Sequence, residues 1–450
     1  MKNWVFLFLL TMSIVSVFLG LKKFRENSDS LQQRFGDKKF LKLDTVIRVQ
    51  GEINQKDYKN IFIGEGGEKY KVTVRGDIES GDCLQVSGNV SIPENKKGSE
   101  TLYDFPYREY LAKDNIYLLY NVTKSKKVDS CRALSFYENI KLYFLNWKIK
   151  ITKVFLEKYE QPYAGLVAGV LIAGKGLMSA ETLELFKRVS LSHVVVLSGS
   201  NVSIIIFCIK YFFDNLFLIM RLRKDLFTEF FKKILMIVLI TVFVLLTGGG
   251  APIYRAFVSS ICGLLIFNNK VSQLYALNIV VMIMTIINPL GTLYDPSFHL
   301  TCCATYGLIM FTDRFDKMII FSRLNFIPNF FREIVSVTLA TQVFVFPYIV
   351  FMSGSFSSVF LLSNVFVLPL IPFVMLLGFM SLFPWVNNLS VFINNITLKI
   401  IFLVVEFLSK VPGGYFVFGK KTSIFILVFY ILTLLFWLFR SNTSPQPHSN

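Results

Sequence analysis

Long apolar runs fill the second half of the chain, while part of the first half alternates apolar and polar residues. The two patterns predict two kinds of structure. Runs of about 20 apolar residues match the thickness of a bilayer. They recur at about 191–219, 234–247, 252–268, 272–289, 297–312, 333–352, 356–383, 392–409 and 422–440. Another run, Trp4 to Leu21, opens the chain, with Lys2 before it and Lys22, Lys23 and Arg25 after it. It is longer than the apolar part of a secretory signal, and Val15, Phe18, Leu19 and Gly20 make a poor cleavage site. Residues 1–21 therefore read as an uncleaved transmembrane anchor, with a removed signal peptide as the competing reading.

Residues 22–137 read as a soluble β domain. Tyr70 to Arg75 alternates strictly, as a half-buried strand should. Thr45 to Ile53, Asn60 to Gly64 and Cys83 to Ile92 are further strand candidates, and Pro93 to Thr101 is a loop. About five short strands in about a hundred residues suit a small barrel of the OB type, and a generic β-sandwich is the alternative. Over 138–190 charges interleave with aromatics: Lys141, Lys148, Lys150, Lys153 and Lys158 accompany Phe144, Trp147 and Phe155. This predicts an amphipathic helix lying in the headgroup plane. Gly165 to Gly174 is apolar but too short to span. Pro369 and Pro372 should break the 356–383 helix.

Composition agrees with the pattern. Of 450 residues, 53% are hydrophobic and 17% charged, against about 25% charged in soluble domains. The fold class expected is a polytopic α-helical membrane protein with one small extracytoplasmic OB-like β-barrel near the N-terminus. Residues 191–440 form the membrane domain and 441–450 a polar tail. The net charge of +17 suits anionic lipid headgroups or a polyanionic substrate. The basic loops, Arg221-Leu222-Arg223-Lys224 with Lys232 and Lys233, and Arg314, Lys317, Arg323 and Arg332, should be cytoplasmic. Counting helices outward from them places residues 22–137 outside a cell membrane and the N-terminus in the cytoplasm. Cys83 and Cys131 would then face an oxidising compartment. Pairing them closes a loop worth about 4 kcal/mol in the chain-entropy model. Cys208, Cys262, Cys302 and Cys303 lie in apolar helices as packing residues.

Polar side chains inside membrane helices cost energy and need a reason. Leu191 to Val202, which reads LSHVVVLSGSNV, concentrates them. Ser198 and Asn201 share a helix face, and Gly199 allows close backbone approach. A plain helix–helix contact and a solvated path through the bundle both fit. Asp295 before Pro296 suits a helix N-terminus. Arg255 lies in the first turn of a helix, where the dipole repels cations, so a phosphate site or snorkelling must explain it. Gln342 is an amide in an apolar helix, suited to a pore wall or to an interhelical hydrogen bond.

The 191–202 stretch resembles the signature helix of the ComEC family of competence proteins, approximately H-L-L-x-x-S-G-L-H-V. His193, Ser198, Gly199 and Val202 match, while Asn201 replaces the second histidine and keeps hydrogen bonding without a charge switch. Further likenesses follow in order. Gly81-Asp82 leading to Gly88 is similar to G-D-x-x-x-V-x-G, and Phe105 to Leu111 to F-D-Y-x-x-Y-L with Pro106 for Asp. Gly165 to Gly174 stands where the family pattern expects it, ahead of Phe186 and His193. Pro252 with Arg255-Ala256 echoes P-x-x-R-A. Asp295 to Thr301 resembles D-P-x-F-Q-L-S. Thr341-Gln342, Phe351, Gly354 to Ser357, Asn364 and Leu368-Pro369 complete the series.

The resemblance implies an inner-membrane channel passing single-stranded DNA into the cytoplasm during natural transformation. DNA-path candidates are His193, Ser198, Gly199, Asn201, Arg255, Asp295 and Gln342. The family's hydrolase domain is expected to be missing, because His193, His299 and His448 cannot build its two-metal centre. No cofactor and no enzymatic activity are expected. Gly414 to Lys421 is a near-miss for a P-loop, with Lys421 where Ser or Thr would hold magnesium. Moving a polyanion inward against the membrane potential costs about 2.3 kcal/mol per charge per 100 mV. A cytoplasmic helicase or translocase motor, a separate DNA receptor and nuclease, and membrane lipids are therefore the expected partners. Three alternatives remain: a permease for another substrate, a membrane-anchored DNA-binding module, and an intramembrane serine hydrolase using His193 and Ser198. The last faces a geometric objection, since five residues on one helix stand roughly 140° apart around its axis.

Overall fold

A computed structural model of the chain describes residues 3–36, 38–56, 59–65, 68–75, 78–95, 102–129, 131, 135–195, 201–202, 204–205, 211, 215, 226–248, 253–254, 257, 270–321 and 328–443. Helix α1, Asn3–Phe35, has 33 residues. At roughly 50 Å it is longer than a bilayer core is thick. The polar stretch after Leu21, expected to begin the β domain, stays helical because no Gly or Pro interrupts it before Gly36, which takes φ +51. The correction has a packing cause: Leu31 and Phe35, one turn apart, enter the barrel core.

Five strands follow: β1 (Leu41–Lys56), β2 (Lys59–Glu65), β3 (Lys69–Val74), β4 (Cys83–Ser91) and β5 (Ile116–Lys127). They close a barrel in the order β1-β2-β3-β5-β4. The long β1 pairs with β4 through its first half and with β2 through its second, shifting register between Gln50 and Asn54. β3 and β5 run parallel, and every other neighbouring pair is antiparallel. The strict alternation of β3 puts Tyr70, Val72 and Val74 inside with Ile47, Val49, Leu84, Val86, Val90, Leu118 and Tyr120. The Tyr120 hydroxyl is shared between the Leu43 and Val86 carbonyls at 2.6 and 2.9 Å. Burial first, then the Asp44 carboxylate, pushes its pKa up to about 12. Gly88 sits at a register shift between β4 and β5, where a Cβ would stand 2.2 Å from the Asn121 carbonyl oxygen. Only glycine fits there.

The Cys83 and Cys131 sulfurs lie at bonding distance, with Cα atoms 5.7 Å apart. Asp82, just before β4, accepts from the Glu79 amide and pairs with Lys127, both at 2.8 Å. A short helix α2, Tyr107–Ala112, precedes β5.

The rest is helical: α3 (Phe136–Lys158), α4 (Tyr163–Ile172), α5 (Ala180–Arg188), α6 (Ser192–Val195), α7 (Leu226–Thr247), α8 (Lys270–Ile287), α9 (Pro289–Tyr294), α10 (Pro296–Phe321), α11 (Asn329–Ser353), α12 (Phe360–Val367), α13 (Ile371–Met380), α14 (Asn387–Ser409) and α15 (Lys420–Thr443). Strands β6 (Ser355–Ser357) and β7 (Tyr415–Val417) pair antiparallel between helix ends. Among the described residues three helices are long and apolar enough to cross a membrane: Asn329–Ser353, Phe360–Met380 and Asn387–Ser409. Pro369 and Pro372 do not break the second of these. A single 3₁₀ turn, Leu368–Leu370, carries the chain from α12 into α13.

The 138–190 segment is also less superficial than its composition predicts. α3 exposes Tyr143, Trp147, Lys150 and Lys153 but buries Lys148, Phe155 and Tyr159. Lys148 donates to the Thr247 carbonyl at 3.0 Å, at the C-terminus of α7. This is where a helix dipole accepts a cation.

Asp82 supplies a test. Burial works against its carboxylate, but the Lys127 hydrogen bond, the Glu79 amide and the Lys127 charge outweigh it and hold the pKa below the ordinary value. A depressed carboxyl stabilises the fold above its unfolded pKa and loses that contribution as pH falls through the folded pKa. Asp82→Asn should therefore lower stability at neutral pH and flatten the acid limb of thermal melts. An unchanged acid limb would refute the assignment.

Candidate functional site: the signature segment and the barrel junction

Helix α4 lies at the centre of the largest core, with residues 164–172 all buried. Its ten residues reach about half a bilayer, so both ends must be satisfied within protein. At its C-terminal end Ala173 turns to φ 59, and both its amide and that of Gly174 meet the Ala168 carbonyl. The signature segment supplies the rest. Asn201 is buried and its Nδ2 donates to the Val170 carbonyl at 3.4 Å. A Cβ on Gly169 would stand 2.5 Å from the Val195 carbonyl oxygen. The glycine-rich segment and the signature segment thus meet backbone to backbone.

Around this contact Phe186, Leu191, Val194, Val195 and Val202 turn inward. His193 turns away from that core and keeps accessible surface. Ser198, Gly199 and Arg255 lie outside the described residues. The later motifs reach the same core. The Ser363 hydroxyl donates to the Val189 carbonyl at 2.6 Å, and a Cβ on Gly378 would stand 2.9 Å from side-chain atoms of Val167 and Leu171. Asn394, wholly buried, donates to the Tyr159 hydroxyl at 3.1 Å.

A second cluster joins the barrel to the membrane helices. Asp295 is buried. Its Oδ1 accepts from the Ser297 amide at 3.0 Å, as an N-terminal cap should, and its Oδ2 pairs with Lys113 at 2.6 Å. Burial works against the Lys113 ammonium, yet Tyr110, the Asp295 hydrogen bond and the Asp114 carboxylate hold its pKa above the ordinary value. Sequence reasoning missed Lys113. It stands two residues beyond the Phe105–Leu111 motif, and its partner is 182 residues away, so no local pattern marks it. His299 has both ring nitrogens engaged, one by the Tyr348 hydroxyl and one by the Thr292 carbonyl. Tyr103, Phe105, Tyr107 and Tyr110 stack at this junction, and Tyr103 reaches Phe351.

Gln342 is half-buried on α11, beside the place where Gly307 of α10 crosses close to Ala340 and Thr341. The structure brings His193 and Asn201 to one segment, Asp295 to the barrel junction, and Gln342 to a third place. Gly414 to Lys421 forms no phosphate cradle. Tyr415–Val417 is a strand, the Gly414 amide meets Val411, and the Phe418 amide meets the Gly354 carbonyl. Among the described residues no group of three or more His, Cys, Asp or Glu is placed to hold a metal ion.

A small β-barrel mounted beside a bundle of apolar helices defines a membrane protein with a soluble module at the ends of its helices. The chain belongs to the competence protein family, whose model, described as "Competence protein", matches residues 170–443. It is similar to ComE operon protein 3 of Bacillus subtilis (strain 168), with 21% identity over 345 residues. That match takes in 75% of this chain and 41% of the relative, so it spans less than half of the relative's length. No solved structure matches. The ComEC-family resemblance read from the motifs is thereby borne out.

Asn201 gives the test of this site. Asn201→Leu strands the Val170 carbonyl at a cost of about 1–3 kcal/mol. Membrane abundance should fall, whereas Asn201→His, which keeps a donor, should retain it. Normal abundance of Asn201→Leu would show that the hydrogen bond is not needed to build the core.

Proposed function

We propose that the chain passes single-stranded DNA across the cell membrane in natural transformation. The observation that carries this reading is the family match over residues 170–443, which takes in the signature segment and the helices around it. The convergence of separate motifs on one core around α4 supports it, since a transport bundle needs short helices whose backbone is satisfied by neighbours. His193 and Gln342 are the path candidates with described positions, joined by Ser198, Gly199 and Arg255 from the sequence, while Asn201 is buried against the Val170 carbonyl and serves the core. Asp295 is better assigned to the barrel junction.

In this proposal the barrel is OB-like, and its closed 1-2-3-5-4 order supports that. Single strands would be met by its charged outer face. There Lys42 stands beside Asn89 on β4, and Lys124 and Lys126 lie opposite Ser87 and Gln85. Residues 1–21 anchor the chain, 22–137 carry the barrel, 138–190 lead into the membrane, 191–440 form the multi-pass path and 441–450 end it. The barrel touches Asn288, Asp295 and Phe351, which flank ends of α8, α10 and α11. In an alternating count of crossings these ends share one face, which supports an outer barrel and a cytoplasmic N-terminus. A cytoplasmic motor, a separate receptor and a separate nuclease complete the process, and the chain itself acts without catalysis.

In a transformable host, deletion should leave surface-bound DNA unchanged while internalised DNA disappears. Normal transformation after deletion would end the proposal. For topology, a reporter inserted within residues 95–100 should be active only on the outside. A thiol-reactive mass shift at Cys83 and Cys131 should need reductant. Free thiols there, or cytoplasmic reporter activity, would reject the outer placement.

A further inference from the structure

We propose that Lys113 is the positioning residue that fixes the barrel over the membrane helices, gripped at two points by the two ends of the short helix α9. Its ammonium lies 2.6 Å from Asp295 Oδ2, and the two side chains keep only 12% and 4% of their surface. Its backbone carbonyl accepts from Asn288 Nδ2 at 3.0 Å. Asn288 and Asp295 flank α9 on either side, so one barrel residue is held by side chain and main chain together. Each gripping residue is itself fixed. Asn288 Oδ1 accepts from the Gly291 amide at 2.8 Å, and Asp295 Oδ1 from the Ser297 amide at 3.0 Å. The Lys113 ammonium also stands 4.3 Å from the centre of the Tyr110 ring.

The chemistry opposes release. Lifting the barrel away would break a closely paired lysine and carboxylate that hold each other at the junction. The second support is α1. Its far end enters the barrel core through Leu31 and Phe35, and its membrane part donates from Ser13 to the Met282 carbonyl and from Ser16 to the Thr285 and Ile286 carbonyls. Gly20 of α1 packs directly on Pro289 of α9. With two struts converging on α9 the barrel cannot swing, and any cargo meets it at a fixed distance from the helix ends. Lys113 lies outside the barrel core, so losing its side chain loosens the barrel on the α1 strut that remains, without unfolding it.

The functional half rests on the DNA-uptake reading, so the test has two readouts. In the full chain, with Cys208, Cys262, Cys302 and Cys303 replaced by Ser, nitroxide labels go on Lys124→Cys of the barrel and Val417→Cys of β7, both exposed positions. The distance distribution should be narrow with Lys113 intact, broad in Lys113→Met and narrow again in Lys113→Arg. DNA uptake, measured without the labels, should be lost in Lys113→Met and kept in Lys113→Arg at equal abundance, with the Cys83–Cys131 bond present in both. If Lys113→Met fails to accumulate, Lys113→Met/Asp295→Asn removes both charges, leaves none buried alone, and should still broaden the distribution. A narrow distribution in these variants, or a broad one with Lys113 intact, would overturn the grip. A broad distribution with full uptake would overturn the need for placement. Normal transformation after deletion of the whole chain would instead defeat the DNA reading and leave the distances to decide the grip.

Discussion

A helix that ends buried inside protein leaves carbonyls that no water can reach, and the centre of this molecule is organised around one such end. Near the C-terminus of α4 its own αL turn meets the Ala168 carbonyl and Asn201 meets that of Val170. That requirement explains why glycine stands at 169, where the neighbouring backbone must come within contact, and why an amide stands at 201. Lys148 solves the same problem at α7, meeting a terminal carbonyl with a buried cation.

Much of this was legible in the sequence, because the apolar runs in 272–289, 333–352 and 392–409 are long and the alternation in Tyr70–Arg75 is strict. Each of those elements appears with bounds shifted by a few residues. What escaped was governed by distant partners. The polar part of α1 has only a thin apolar face, Phe24, Leu31 and Phe35, and its helicity is decided by docking onto the barrel. Strand β5 alternates only as far as Tyr120 and then becomes exposed and lysine-rich, so its second half has no pattern of its own and is held by pairing with β4.

The site was legible to a different degree. The motifs picked out stretches that meet in the core and at the barrel junction, because glycine and buried amides are conspicuous in apolar sequence. Their local grammar did not say which would face protein and which a path. Asn201 turned out to hold a backbone carbonyl, and Asp295 both caps a helix and binds a lysine. Those roles follow from chain crossings that one-dimensional spacing does not encode.

Helix α1 carries a consequence for how the protein is made. Its polar end is needed by strands translated shortly after it, but Ser13 and Ser16 bind carbonyls 269 or more residues further along. During synthesis the barrel can therefore close on the polar end of the first helix before the carbonyls that Ser13 and Ser16 bind have been made. The anchor finds its seat only after residues 282–289 have been inserted. The contacts of α1 thus wait for the middle of the chain, and contacts of such long sequence separation are a natural slow step.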